Sequence, residues 1–314
     1  MAPVRDADAT VVCERIFGGS SRDARGHQRE TEWPVTCLSP GRETVAVQLH
    51  AVWGAPVDYA GGSRNPPTAW FSDGAARYCR VGAARPGDES APRDQQAQAV
   101  FRGIRESLQA ADTTFNSILR TWFYLDDILG WYDEFNDLRD DFFTEHRVFD
   151  GLVPASTGIG MKNANGAALT AEGLALQPLE TGIDARAVPS PKQCSPLEYG
   201  SSFSRAVEAA LADHRRLYVS GTASIDREGR TVGAGDFKAQ MDTTISVVEE
   251  ILESRGMKWK NVTRAVAYVR RPEHIPALQA QIGGYSMPVA VVPAVICREN
   301  LLFELEVDAV SPAG

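Results

Sequence analysis

The stretch that decides the fold is Leu301-Leu302-Phe303-Glu304-Leu305-Glu306-Val307-Asp308-Ala309-Val310, near the end of the sequence. Its residues alternate as in a β-strand, so that one face carries Leu302, Glu304, Glu306 and Asp308 and the other face is apolar. Cys297 lies seven residues before Glu304. A carboxylate in a strand of this kind is a candidate general acid, although an edge strand with one wet acidic face gives the same pattern.

Length and composition are those of a globular protein. The chain has 314 residues, enough for one large domain or two of ordinary size, and 43% of them are hydrophobic. Its formal net charge of −9 argues against a nucleic-acid partner, because phosphate binding needs a basic surface.

The cysteines and the N-terminal segment indicate a cytoplasmic protein. The five cysteines are odd in number, widely spaced and without a CxxC pair, which is typical of reduced thiols. Residues 1–17 contain several charges and no apolar core of a signal peptide. No apolar run is long enough to span a membrane, so no membrane partner is expected.

Hydrophobic periodicity predicts an order of elements that occurs twice. The first occurrence has strands at 44–53 and 69–72, a helix at 94–115, a strand at 118–125, a helix at 131–146, and a strand that starts at 154 and continues through 169–176. The second has a strand at 217–220, a helix at 237–255, a strand at 262–269, a short helix at 272–281, and strands at 290–297 and 301–310.

Residue pairs at nearly constant offsets indicate an internal duplication. At an offset of 144 the segment that starts at Ile118 matches the one that starts at Val262; at 147 Phe71 matches Tyr218; and at 139 Val153-Pro154-Ala155 matches Val292-Pro293-Ala294. We therefore predict an α+β protein of two similar units, each a mixed β-sheet with two helices packed on one face. The expected boundaries are an irregular segment at 1–42, a first domain at 43–180, a linker at 181–196 and a second domain at 197–314.

The second unit resembles the RidA (YjgF-type, chorismate mutase-like) fold. The stretches that carry the resemblance are Tyr218-Val219-Ser220-Gly221-Thr222-Ala223-Ser224, Asn261-Val262-Thr263 and Val292-Pro293-Ala294 with Cys297 and Phe303-Glu304-Leu305-Glu306. The first unit carries the family's helix as Glu134-Phe135-Asn136-Asp137 followed by Phe142-Phe143-Thr144-Glu145-His146. RidA imine deaminases bind the substrate carboxylate with an arginine two residues before the cysteine. Val295 and Ser156 stand at that place here, so imine deamination is not expected.

A double RidA-like chain with Pro154-Ala155-Ser156-Thr157-Gly158-Ile159-Gly160 and Tyr199-Gly200-Ser201-Ser202-Phe203-Ser204-Arg205-Ala206 resembles the chorismatase family. The resemblance implies cleavage of chorismate with release of pyruvate and without a metal or organic cofactor. Some members of the family form 3-hydroxybenzoate by an intramolecular route, and others hydrolyse chorismate to a cyclohexadiene diol. The first reaction is our expectation and the second is the alternative.

The chemistry needs an acid that protonates the enolpyruvyl methylene group, and the resemblance gives this role to Glu304. A carboxylic acid can do this when burial and neighbouring carboxylates raise its pKa toward neutrality. Cys297, at its place before the acid, resembles the 3-hydroxybenzoate-forming members, where a thiol in the pocket would exclude water or take part in ring opening. A small core residue is the alternative for this cysteine.

The two carboxylates of chorismate call for cationic and polar partners. We expect Arg205 to bind one of them, and Arg147 is a second choice that a surface arginine would explain equally well. Ser220, Gly221 and Thr222 follow a strand where backbone N–H groups could approach the ligand, or form a simple β-bulge. Tyr199 and Thr157 are further candidate hydrogen-bond donors.

Other kinds of site find little support in the sequence. The five histidines are scattered without a metal-binding spacing, and there is no GxSxG, GxGxxG or P-loop motif. A non-catalytic ligand-binding module of the RidA type remains an alternative to an enzyme. Since RidA proteins are trimers with cavities between subunits, a duplicated chain is expected to be a monomer or a homotrimer.

Overall fold

The computed structural model of the protein describes residues 8–39, 41, 43–61 and 66–313. The strands of the described part are β1 (Thr10–Gly18), β2 (Val35–Leu38), β3 (Thr44–Val52), β4 (Val57–Ala60), β5 (Thr68–Ser72), β6 (Ala76–Ala84), β7 (Ile118–Leu125), β8 (Ala155–Gly160), β9 (Leu169–Pro178), β10 (Asp184–Val188), β11 (Ala206–Ala210), β12 (His214–Ala223), β13 (Val262–Val269), β14 (Val289–Pro293) and β15 (Phe303–Pro312). Its helices are α1 (Ser21–Glu30), α2 (Arg93–Ala110), α3 (Ile128–Glu145), α4 (Phe237–Ser254) and α5 (Ile275–Ile282).

Contacts divide the chain into two compact units. The first unit contains residues 1–127, 137–151 and 161–181, and the second contains 128–136, 152–160 and 182–314. The second unit therefore includes two short segments from the middle of the chain, one of which contains β8.

The alternating stretch of the second unit forms β15, a central strand. The sheet has the order β10-β11-β12-β15-β13-β14, and β15 pairs antiparallel with β12 and β13. Both faces of β15 are covered, because the apolar Phe303, Leu305 and Val307 and the acidic Glu304 and Glu306 are all buried. The wet acidic face of an edge strand is thus not what this sequence forms.

Helix α4 covers the apolar face of this sheet. Asp236 caps its N-terminus by accepting a hydrogen bond from Ala239 N at 3.0 Å. The apolar residues of α4 recur every three or four positions and are buried in one cluster with β12, β13 and β15: Phe237, Met241, Ile245, Val248, Ile251 and Leu252. This packing fixes the apolar side of β15 and leaves its acidic side for the site.

A second six-stranded sheet, whose strands other than β8 lie in the first unit, has the same design. Its order is β4-β5-β6-β9-β7-β8, in which β9 is the strand between β6 and β7 as β15 is between β12 and β13. Strands β7 and β13 are equivalent at the predicted offset of 144, since Ile118 and Val262 each begin their strand. Two α+β units of one design are therefore present, as predicted.

The other two offsets are wrong as structural equivalences. Phe71 lies on β5, whereas Tyr218 lies on β12, whose counterpart beside the central strand is β6. Pro293 ends β14, whereas Pro154 directly precedes β8. Similar short stretches can thus align although they lie on different strands, as at the offset of 147, or at different places along corresponding strands, as at 139.

The N-terminal segment and the linker are more regular than expected. The described residues from 10 to 38 form β1, α1 and β2, and β1 also pairs with β3 in a sheet of the order β2-β1-β3. The predicted linker contains β10, which pairs antiparallel with β11. The alternation in β1 is interrupted by charged residues such as Glu14 and Arg15, which are buried and paired in the fold. In the described part of the chain, no helix has the length and apolarity needed to cross a membrane.

A buried carboxylate joins the outer strands of the second unit to helix α4. Glu208 on β11 is 1% exposed and accepts hydrogen bonds from Arg186 on β10 at 2.8 Å and from Arg255, the residue after α4, at 2.8 and 2.9 Å. Arg215 lies 3.6 Å away. Burial alone would raise the pKa of Glu208, but hydrogen bonds from Arg255 and Arg186 outweigh it and hold the pKa below its ordinary value.

We predict that Glu208→Gln lowers the free energy of unfolding by about 2 kcal/mol at pH 7, because it removes the charge-assisted hydrogen bonds that the buried carboxylate accepts from the partly exposed Arg186 and Arg255. Since the folded pKa is depressed, this stabilisation is fully present above the unfolded pKa near 4.5 and is lost as the pH falls through the folded pKa. Urea unfolding of both proteins between pH 3 and pH 7 measures the difference. Asp242→Asn, which removes an exposed partner of Lys238, is the control and is expected to change nothing measurable. Equal loss in both variants would contradict the assignment.

Candidate functional site

The centre of the site is the Glu304 carboxylate on β15. Glu304 is 4% exposed, and its partners across the sheet are Tyr268 on β13 and Ala223 on β12. A central strand gives its side chains little water, so the charged form of this carboxyl group is poorly solvated. The predicted acid is therefore in the buried setting that such chemistry needs.

Glu306 lies two residues farther along the strand and is held by ionic contacts. It is fully buried, its Oε1 accepts a hydrogen bond from Arg264 Nη1 at 2.7 Å, and its Oε2 accepts one from Thr157 Oγ1 on β8. Arg264 also donates through Nε to Asp308 at 2.6 Å. Glu306 thus has an ionic partner, as expected for a structural carboxylate.

Ser220 and Gly221 form a β-bulge opposite Glu306. On β12, Val219 pairs with Val307 and Thr222 pairs with Leu305, so two residues oppose one. Gly221 N donates to Thr157 Oγ1 at 3.0 Å. A Cβ atom on Gly221 would lie 2.1 Å from Glu304 Oε1. Only glycine lets the backbone approach the acid this closely, so the bulge and the close approach occur together.

Ser220 and Thr222 have hydrogen bonds that hold the bulge. Ser220 Oγ donates to Ser204 O at 2.5 Å and accepts from Ser156 N at 2.8 Å. Thr222 Oγ1 donates to Ser220 O at 2.9 Å. These contacts are structural, and a role of either hydroxyl in substrate binding stays a prediction.

Two guanidinium groups lie beside the ring of Tyr199. The Arg205 guanidinium carbon is 5.6 Å from the ring centroid, and that of Arg298 is also 5.6 Å away. Arg205 is 3% exposed and donates through Nε to Cys194 O at 3.0 Å, but its buried Nη2 has no hydrogen-bond partner among the described residues. A buried cationic donor without a partner is costly, so this atom is suited to an anionic oxygen of a ligand.

Cys297 connects the arginines and the acid electrostatically. Desolvation and the neighbouring Glu304 carboxylate raise the pKa of its thiol to about 12, and the charges of Arg298 and Arg205 lower it by less. Its charge partners thus include the acid and both guanidinium groups. At neutral pH the thiol is protonated, which makes it a neutral wall of the site and a poor nucleophile. It lies in the loop after β14, not within the strand predicted for 290–297.

Tyr199 shares this environment. Desolvation raises the pKa of its phenol; the charge of Arg205 lowers it, and Cys297 raises it. The phenol therefore stays protonated at neutral pH and retains its O–H donor. Tyr199 and Arg205, which were both predicted as site residues, therefore lie in one cluster together with Arg298.

The structure places one predicted residue elsewhere, and sequence reasoning missed another. Arg147 follows α3, its side chain is 80% exposed, and its Nε donates to Asp150 at 2.7 Å. Its described contacts do not include the cluster around Glu304, and they are those of the surface arginine that was the alternative. Arg298 was not predicted, although its position directly after Cys297 was a usable signal. Among the described residues, no group of three or more His, Cys, Asp and Glu is arranged to hold a metal ion.

The first unit retains only part of this arrangement. Trp122 on β7 and Val266 on β13 are equivalent residues. Trp122 pairs with Glu172 on β9 and Val266 pairs with Glu306 on β15, so Glu172 is equivalent to Glu306. By the same register, Thr170 is equivalent to Glu304. Glu172 is buried and bonded to Arg15 and Arg80, and Thr170 Oγ1 donates to Ala84 O at 3.0 Å. The first copy thus has a threonine where the second copy has Glu304, and it retains a carboxylate at the position of Glu306.

Comparison with known families covers most of the chain. Residues 52–175 match the N-terminal family described as "Chorismatase FkbO/Hyg5-like", and residues 198–311 match the family described as "Endoribonuclease L-PSP". No curated protein matches the chain.

Solved structures give the fold of the whole chain. A chorismatase crystal structure aligns with a TM-score of 0.74 at 23% identity and covers 96% of this chain and 93% of its own. A YjgF/YER057c/UK114 family member from Mycobacterium tuberculosis has 24% identity, coverages of 41% and 100% and a TM-score of 0.33. Yeast Mmf1 has 16% identity, coverages of 41% and 99% and a TM-score of 0.34.

We predict that Glu304→Gln increases the rate at which iodoacetamide alkylates Cys297 at pH 8 by at least about threefold, because loss of the neighbouring negative charge lowers the pKa of the thiol. Mass spectrometry of the Cys297 peptide over time measures the rate. The exposed Glu299→Gln is the matched control and is expected to behave as the wild type. An unchanged rate in Glu304→Gln would show that the acid and the thiol are not neighbours.

Proposed function

Because the chain belongs to the chorismatase family, we propose that it cleaves the enolpyruvyl ether of chorismate to 3-hydroxybenzoate and pyruvate. The reaction needs no water: the atoms of chorismate are divided between the two products. The observation that carries the proposal is the buried Glu304 carboxyl group in a site with a partnerless buried guanidinium nitrogen of Arg205. An acid and an anion-binding group are the two elements that cleavage of this dianion requires.

Glu304 is the general acid in this proposal. It gives its proton to the methylene carbon of the enolpyruvyl group, which leaves an oxocarbenium-like carbon. The oxygen of the ring 4-hydroxyl then attacks the neighbouring ring carbon, and the bond from that carbon to the ether oxygen breaks and releases pyruvate. The hydroxyl proton goes to the Glu304 carboxylate and restores the acid. The bond from the oxygen to its original ring carbon then breaks, the carbon that was attacked loses its C–H proton, and this proton ends on the oxygen, which gives the aromatic phenol.

Two arginines suit the two carboxylates of the substrate. Arg205 offers the partnerless Nη2, and Arg298 has Nη1 bonded to Gly229 O at 2.7 Å with its guanidinium plane beside Tyr199. Charge-assisted hydrogen bonds of this kind give both affinity and orientation. The protonated phenol of Tyr199 adds a donor between them.

Cys297 supports the intramolecular route over hydrolysis. A neutral thiol beside Glu304 is a weak hydrogen-bond partner for water, and it fills space next to the acid. Because a water molecule is bound weakly beside the thiol, attack by the ring 4-hydroxyl group of the substrate is favoured over attack by water. Hydrolysis to the dihydrodiol uses the same acid and is the alternative outcome at this branch.

We predict that the protein releases one pyruvate for each chorismate and forms an ultraviolet-absorbing phenol, and that Glu304→Gln lowers kcat by about 10²–10⁴-fold because the general acid is lost. Coupled pyruvate detection and chromatography of the aromatic product measure both. Glu299→Gln is the control and is expected to retain full activity. A non-aromatic diol would support the hydrolase, and absence of pyruvate would favour a non-catalytic binding protein.

We also predict that Arg205→Gln raises KM about tenfold or more, because a charge-assisted hydrogen bond to a carboxylate contributes about 1.5–3 kcal/mol. Steady-state kinetics with chorismate measure this change. Arg230→Gln, which removes an exposed arginine that pairs with Asp226 and Glu228, is the matched control. An unchanged KM in Arg205→Gln would remove this residue from the binding site.

A further inference from the structure

The Thr157 hydroxyl is the meeting point of two buried contacts. It donates to Glu306 Oε2 on β15, and it accepts from Gly221 N on the bulge of β12 at 3.0 Å. Thr157 is 1% exposed, so both contacts are shielded from water. One hydroxyl has one proton to donate, and here it is directed to Glu306, because the oxygen has to accept the N–H of Gly221.

The direction of this chain is set by Arg264. Its Nη1 binds Glu306 Oε1 at 2.7 Å, which favours the ionised form of Glu306 as the acceptor for Thr157. Asp308 shares the same guanidinium group through Nε. The sequence of contacts therefore runs from Arg264 to Glu306, to Thr157 and to the backbone of Gly221.

The end of this chain touches the acid. The position of a Cβ on Gly221 is 2.1 Å from Glu304 Oε1 and 3.2 Å from Thr157 Cγ2, so Glu304 packs directly against the backbone that Thr157 holds. Ser156 N, next to Thr157, also binds Ser220 Oγ at 2.8 Å. A shift of the bulge by a few tenths of an ångström would thus move the acid or leave it unsupported.

We propose that Thr157 and Glu306 are positioning residues that fix the Glu304 carboxyl group through the backbone of Gly221. The inference rests on the proposed function for its kinetic consequence, because it names the residues that orient the general acid. Glu306 is the arginine-bound member of the pair, and Glu304 is the general acid of the proposed reaction. Neither Thr157 nor Glu306 needs to touch the substrate in this arrangement.

Glu304 and Glu306 are given different roles here because their surroundings differ. The charged groups near Glu306 include Arg264 and, through that arginine, Asp308. The titratable groups near Glu304 include Tyr268 across the sheet from β13 and the Cys297 thiol, on which the charges of Arg298 and Arg205 also act. The residues of β12 that face the acid, 220–223, carry no titratable side chain.

The test compares Thr157→Val with Thr157→Ser. Valine has nearly the same shape but lacks the hydroxyl, and serine retains it. We expect Thr157→Val to lower kcat for chorismate cleavage by about 10-fold to 100-fold with KM changed less than about twofold, because a small misplacement of a catalytic group acts on the chemical step. Thr157→Ser is expected to restore kcat to within about threefold of the wild type. The control is Thr170→Val, a buried threonine at the position of Glu304 in the first unit.

A second measurement makes the result independent of turnover. Displacement of the Glu304 carboxylate from the Cys297 thiol is expected to shift the pH profile of Cys297 alkylation in Thr157→Val toward that of Glu304→Gln, with no shift in Thr157→Ser. Thermal unfolding of each variant shows whether it is folded. If the wild type releases no pyruvate from chorismate, the proposed function fails and the alkylation profile still decides the inference. Unchanged kcat and alkylation in Thr157→Val, or equal defects in the serine variant, would overturn it.

Discussion

The ion pair between Glu306 and Arg264 is the constraint on which the second unit depends. A strand in the middle of a sheet with both faces covered cannot expose a carboxylate to water, so its charge has to be compensated within the protein. Arg264 comes from the neighbouring strand β13 and supplies that compensation at 2.7 Å, and Thr157 supplies a further hydrogen bond. The same strand carries a second buried carboxyl group, Glu304, two residues before Glu306.

In the first copy, other residues compensate the charge of the buried carboxylate at the equivalent position. Glu172 occupies the position of Glu306 and is bound by Arg15 from β1 and Arg80 from β6. Both copies thus have a buried carboxylate bound by arginine, at Glu172 and at Glu306. The position two residues earlier on the strand is Thr170 in the first copy and Glu304 in the second. The difference shows what the chemistry adds to the fold. The buried ion pair is common to both copies, and the second buried carboxyl group beside a glycine bulge is found in the second copy.

The sequence predicts those parts of the fold that depend on local periodicity. Strands β7 and β13 and helix α4 have long apolar patterns and lie where they were expected. Strands β1 and β10 were missed because charged residues interrupt the pattern, and the fold buries or pairs those charges through distant partners such as Glu172, 157 residues from Arg15. The offset of 147 failed for a related reason. Short aromatic and glycine stretches resemble each other on different strands, and only hydrogen-bond partners tell the strands apart.

The site was predictable where its chemistry is local and unpredictable where the fold assembles it. Glu304 and Arg205 were chosen as candidates from short stretches and both are buried, but a surface arginine such as Arg147 carries the same local signal as a buried one. Arg298 reaches Tyr199 across 99 positions of sequence, and its role follows only from the ring that it shares with Arg205. The thiol illustrates the same limit. Nothing in the sequence distinguishes a reactive cysteine from an inert one, whereas in the fold desolvation and the Glu304 carboxylate raise the pKa of the Cys297 thiol and keep it protonated.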